Sequence, residues 1–83
     1  MPINIINKYT KYMSIKRENF EKIATGRVQK ILKNLELLGN CSNTSYYDYN
    51  KDDVDKIFKA ISKKLNATKS QYYSKMNKNP FEL

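Results

Sequence analysis

Asp52, Asp53 and Asp55 form the densest group of carboxylates in the chain. Paired carboxylates can serve as general acid and base, or hold a divalent cation. A simpler role accounts for all three. They follow Asn50 at the start of a helical pattern, where the helix dipole favours negative charge and Asn50-x-x-Asp53 reads as a capping box. A cation held by these acids alone would stay hydrated, because neighbours on one helix do not enclose it without loop oxygens. Cys41 is the only cysteine, and the chain has no histidine. This composition leaves no internal disulfide, no His/Cys zinc site and no imidazole relay. Cys41 sits in a turn-rich segment with no basic residue beside it to activate a thiolate nucleophile. Gly26 and Gly39 are the only glycines, so there is no glycine-rich phosphate cradle. The expectation is a non-enzymatic protein without cofactor or metal.

Charge is the more informative chemistry. Sixteen Lys and Arg against eight Asp and Glu give a formal net charge of +8. Residues 1–17 carry +4 through Lys8, Lys11, Lys16 and Arg17; residues 18–38 carry +1, and residues 39–55 carry −3. Residues 56–79 contain seven lysines and no acid. Such a run repels itself at low salt, and a polyanion would relieve the repulsion. The candidate phosphate-binding residues are Lys63, Lys64, Lys69, Lys75 and Lys78, with Lys16, Arg17 and Lys22 across a hairpin. Tyr73 is added as an aromatic that could stack on a base, whereas Tyr72 falls on the apolar stripe and is expected in a core. Lysine contacts to phosphate give salt-sensitive, largely sequence-independent binding to DNA or RNA. Only Arg17 and Arg27 could make bidentate guanine contacts, so no sharp base code is indicated.

The elements that must position these residues follow from periodicity. Ile3 and Ile5 alternate, but Pro2, Asn4 and Asn7 are poor strand formers, so residues 1–13 are expected as an extended N-terminal arm. Phe20, Ile23, Ala24, Val28, Ile31, Leu32, Leu35 and Leu38 recur at helical spacing, which predicts a helix over about 15–38. Ser14 is its expected N-cap, and Gly39-Asn40 its left-handed closure. Gly26 inside it implies a bend, a close backbone approach or simple tolerance at a cost of about 1 kcal/mol relative to Ala. Glu18 stands four residues before Lys22 as a supporting pair. Residues 39–50 are rich in Gly, Asn, Ser and Thr and read as a connection, with Tyr46, Tyr47 or Tyr49 folding onto the helix ends. Val54, Ile57, Phe58, Ile61, Leu65, Thr68, Tyr72 and Met76 predict a second helix over about 51–78, stopped by Asn79-Pro80.

The predicted fold class is all-α: an antiparallel two-helix hairpin with an N-terminal arm. The organisation is arm 1–13, hairpin domain 14–79 and tail 80–83. Two helices cover only part of each other's apolar faces, and so small a core is marginal. Dimerisation to a four-helix bundle is the expected solution. The helices are too long for a ribbon–helix–helix protein, and the loop is too long for a helix-turn-helix. No apolar run reaches the roughly 18 residues of a membrane span. Lysines and Asn7 interrupt any secretory h-region, so no membrane association and a cytoplasmic location are expected. The Asn40-Cys41-Ser42, Asn43-Thr44-Ser45 and Asn66-Ala67-Thr68 triplets match glycosylation acceptors, which have no consequence there.

Residues 27–65 carry Leu37-Leu38-Gly39-Asn40, Ser42-Asn43, Tyr47-Asp48-Tyr49 and Val54-x-x-Ile57-Phe58-x-Ala60-Ile61. In these motifs the chain resembles small uncharacterised helical-hairpin accessory proteins of Gram-positive mobile elements: plasmids, integrative elements and phages. The resemblance implies a mobile-element accessory context and brings no reaction, cofactor or binding residue. Two functions are consistent with the whole reading. One is nucleic-acid binding through phosphate contacts. The other is an adaptor or inhibitor, of anti-defence or anti-CRISPR type, acting on a host or element-encoded nucleic-acid-handling protein.

Overall fold

The computed structural model of the chain describes the backbone of residues 3–77 and the side chains of residues 14–77. Within those residues there are two α-helices and no strand: α1, Ile3–Asn40, and α2, Lys51–Met76. The all-α class is therefore as expected. The chain divides into two units, residues 1–46 and 47–83, each carrying one helix. Lys78, the Asn79-Pro80 stop and the tail 80–83 lie outside the described residues.

The extended arm is corrected. α1 runs unbroken from Ile3, and Ser14 lies in its interior rather than at its cap. The reason is in the spacing. Ile6, Tyr9 and Met13 precede Phe20 by 14, 11 and 7 residues, which are the offsets of a helix and continue the stripe that begins at Phe20. Once a helix is nucleated, each added residue gains one hydrogen bond without a new nucleation cost. The alternation of Ile3 and Ile5 was too short to outweigh that.

The end of α1 also differs. The helix continues to Asn40, and no described residue, Gly39 included, has positive φ. The chain closes instead by tightening: the N–H groups of Cys41, Ser42 and Asn43 donate to the carbonyls of Leu38, Gly39 and Asn40 at 3.0, 3.0 and 3.3 Å. These i→i+3 bonds satisfy carbonyls that would otherwise lack a partner. A second turn follows, in which Tyr46 N–H donates to the Asn43 carbonyl at 3.1 Å. The Asn43 side-chain oxygen accepts from Ser45 N–H at 2.9 Å, an Asx turn of the kind such residues favour. At Gly26 nothing lies within 4 Å of where a Cβ would stand. Of the three alternatives there, a close backbone approach is not seen among the described residues.

α2 begins as its sequence indicates. Asn50 is extended at φ −120° and ψ 177°. Asp53 N–H donates to Asn50 Oδ1 at 2.8 Å, and Asn50 N–H donates to Asp53 Oδ2 at 3.0 Å. This reciprocal box satisfies two backbone donors at once. Lys51 Nζ reaches Asp55 Oδ2 at 2.9 Å. The helix ends at Met76, with Asn77 N–H donating to the Tyr73 carbonyl at 2.9 Å.

Neither helix has a core of its own. Among the described residues no side chain is buried. Leu38 on α1 and Val54 and Ile61 on α2 are half-buried, while Ile31, Leu32, Phe58 and Leu65 are more than half exposed. Tyr46 is 81% exposed and Tyr49 40%, so the loop tyrosines differ in cover but none is buried.

Candidate nucleic-acid interface

α2 supplies most of the candidate residues, and its geometry decides how they are presented. At about 100° per residue, Lys56, Lys59 and Lys63 stand on the face opposite Val54, Ile61 and Leu65. The remaining lysines do not join them. Lys64 and Lys75 border the apolar stripe on one side; Lys69 and Tyr73, four residues apart, border it on the other. The candidate residues of α2 therefore surround the helix instead of forming one cationic face. This border position of Lys64, Lys69 and Lys75 was readable from their offsets to Leu65 and Tyr72, but counting charge by segment concealed it. Lys78 lies outside the described residues.

The electrostatics of this helix are simple. Its acids are confined to the first five positions, as Asp52, Asp53 and Asp55. Asp53 is held by the capping box and Asp55 by Lys51. Beyond them, among the described residues, no lysine from Lys56 to Lys75 is in an ion pair. Each of these ammonium groups is on an exposed residue. Thr68, the polar member of the stripe, donates its hydroxyl to the Lys64 carbonyl at 2.8 Å, so it presents its methyl group without an unsatisfied donor.

Tyr72 and Tyr73 were expected to differ, one in a core and the other free. They are 51% and 55% exposed, so Tyr72 is corrected to an exposed residue. With Gln71, Lys75 and Met76 it lines a shallow depression on the stripe side of the last two turns. An aromatic ring beside a lysine is the arrangement that can stack a base while neutralising a phosphate. Tyr72 and Tyr73 both meet that description.

The α1 candidates are fewer and more engaged. Lys16 and Arg17 lie beside the stripe that contains Phe20, and Lys22 lies on the outer face. Arg17 Nε bonds Glu21 Oε1 at 2.8 Å, and its guanidinium carbon is 5.7 Å from the centroid of the Phe20 ring. The ion pair in this turn is thus Arg17–Glu21, in place of Glu18–Lys22. A second pair joins Lys33 and Glu36 at 3.5 Å. An arginine already committed to a carboxylate and a ring has less to offer a phosphate than a solvated lysine.

Other chemistry finds little support in the geometry. Among the described residues no three His, Cys, Asp or Glu side chains are grouped as metal ligands. Cys41 is exposed, and its thiol points to the Leu37 carbonyl at 3.7 Å. No described helix is long and apolar enough to cross a membrane. Comparison of the chain with protein-family models, with curated proteins and with solved structures finds no match.

Proposed function

We propose that this chain is a small, basic, non-enzymatic cytoplasmic protein that binds nucleic acid through phosphate contacts, in the accessory complement of a mobile element. The observation that carries the reading is the acid-free run from Lys56 to Asn79, with seven lysines, whose described members are solvated and in no ion pair. In this reading α1 and α2 form an antiparallel hairpin. The basic start of the first helix then lies beside the basic end of the second, and two copies complete a four-helix bundle over the apolar stripes. Each lysine that meets a phosphate releases counterions, so affinity falls steeply with salt and is nearly blind to sequence.

The test is fluorescence anisotropy with short DNA and RNA duplexes and single strands from about 50 to about 300 mM salt. Six engaged lysines correspond to a log–log slope of about −5 on duplex DNA. No binding at low salt to any of these probes removes the reading.

A second reading is favoured by the absence of any buried side chain among the described residues: an adaptor or inhibitor whose apolar stripe docks on a nucleic-acid-handling protein, of anti-defence type. Co-purification from a nuclease-treated Gram-positive lysate distinguishes the two. A protein partner retained after nuclease treatment supports docking, and loss of all partners supports nucleic acid.

A further inference from the structure

Halfway along α2 the lysines change sides. Lys56, Lys59 and Lys63 stand opposite Val54, Ile61 and Leu65, the ordinary arrangement of an amphipathic helix. From Lys64 onward it inverts. Lys64 and Lys75 lie to one side of Tyr72, and Lys69 and Tyr73 lie to the other. The opposite face of this half holds Asn66, Ala67, Ser70 and Ser74, none of them charged. A helix that needed these lysines only for solubility would carry them there, as its first half does. Three ammonium groups flank two aromatic rings instead.

Tyr72 and Tyr73 are both more than half exposed. Gln71, Tyr72, Lys75 and Met76 line one shallow depression, which joins a flat ring, a cation and an amide that both donates and accepts. Residues 56–77 contain no acid, and none of their lysines is in an ion pair. Lysines alone take phosphates from duplex and single strand alike. The rings add a choice. In a duplex both faces of each base are covered by neighbouring pairs, whereas an unpaired base can stack on an aromatic side chain. An acidic peptide would satisfy the lysines and leave the two rings without a flat partner.

We propose that the second half of α2, from Lys64 to Met76, is a binding face for single-stranded nucleic acid. Tyr72 and Tyr73 stack on bases, and Lys64, Lys69 and Lys75 neutralise the phosphates beside them. The face spans about 18 Å of helix axis, room for a few nucleotides. It leaves Val54, Ile57, Phe58 and Ile61 in the first half for packing. The inference rests on the nucleic-acid reading above and adds to it a preference for unpaired bases.

The experiment uses the full chain and three labelled probes of about twelve nucleotides: a thymidine strand, the same strand made abasic, and a duplex. Anisotropy is read across a salt series and compared at about 200 mM, where the denser charge of the duplex counts for less. The thymidine strand should bind tightest, by about fivefold or more over the abasic strand for each ring engaged. Tyr72→Leu with Tyr73→Leu should lose that advantage without changing the salt slope or duplex affinity, since no charge is removed. Tyr72→Phe with Tyr73→Phe should keep it, because the rings remain. Circular dichroism checks the helix content of each variant, and the abasic comparison needs no substitution at all. Equal affinity for the thymidine and abasic strands, or a duplex bound as tightly as the thymidine strand, overturns the inference and leaves phosphate binding standing. Binding to a poly-glutamate peptide, with none to the thymidine strand, assigns the face to a protein and overturns it as well. No binding to any nucleic-acid probe removes the reading together with the inference.

Discussion

α1 and α2 use similar apolar residues at helical spacing, but their charge and their ends differ. Over residues 18–38, α1 places four basic residues among three acids. Two of those acids are in ion pairs, one with Arg17 and one with Lys33. α2 gathers its acids in its first five positions, and none of its later lysines is in an ion pair. Over its whole length from Ile3, α1 carries eight basic residues against three acids and α2 seven against three, so the helices differ in where their acids stand and not in how much positive charge is left over. The same contrast holds at the ends. α2 starts on a reciprocal Asn50–Asp53 box, whereas α1 has no acid in its first turn and closes on i→i+3 bonds without a left-handed residue.

The contrast can be broken most forcefully at the lysines. Replacing Lys63, Lys64, Lys69 and Lys75 together by Gln should lower the salt slope of duplex binding by about 3 to 4, and affinity at low salt by orders of magnitude. The parallel change on α1, Lys22, Lys30 and Lys33 to Gln, should lower the slope by less for each lysine replaced. Equal losses per lysine from the two helices, measured by anisotropy, would erase the distinction.

Next in size is the N-terminus of α2. Asn50→Ala removes one half of the box and should cost about 1 kcal/mol of α2 stability. The readout is loss of ellipticity on urea titration, and Asn50→Ser should recover most of it. Gly26→Ala works in the opposite direction on α1. The site is open and helical, so the added methyl should stabilise α1 by about 0.5–1 kcal/mol, seen as a higher urea midpoint. A destabilised Gly26→Ala protein would mean that another backbone approaches this point. The smallest expected effect is at Arg17–Glu21. Both side chains are more than half exposed, so Glu21→Gln should cost only about 0.3 kcal/mol, vanishing in high salt.

These particulars show how much was legible in advance. The span and cap of α2 could be read because both rest on contacts within four residues: the box at Asn50, the offsets from Val54 to Met76. The closure of α1 could not. Gly39 at the end of a helix suggests a left-handed residue, but a tighter turn through Cys41, Ser42 and Asn43 satisfies the same carbonyls, and composition does not separate the two. The start of α1 was misplaced at Ser14 for a different reason. Poor strand residues suggest extended chain, although Ile6, Tyr9 and Met13 stand at helical offsets from Phe20. Within the candidate site, the total charge is legible from a segment tally, whereas its distribution around α2 is legible only from helical offsets, because a tally has no angle in it.

The sequence alone determined the helical class, the acid-capped beginning of α2 and the acid-free lysine run, since each depends on residues close together in the chain. Three-dimensional structure decided what those local rules leave open: a first helix continuous from Ile3 and a tyrosine at position 72 that is exposed. Those outcomes depend on the direction each side chain takes from the helix axis and on what surrounds it, and neither is a property of residue order alone.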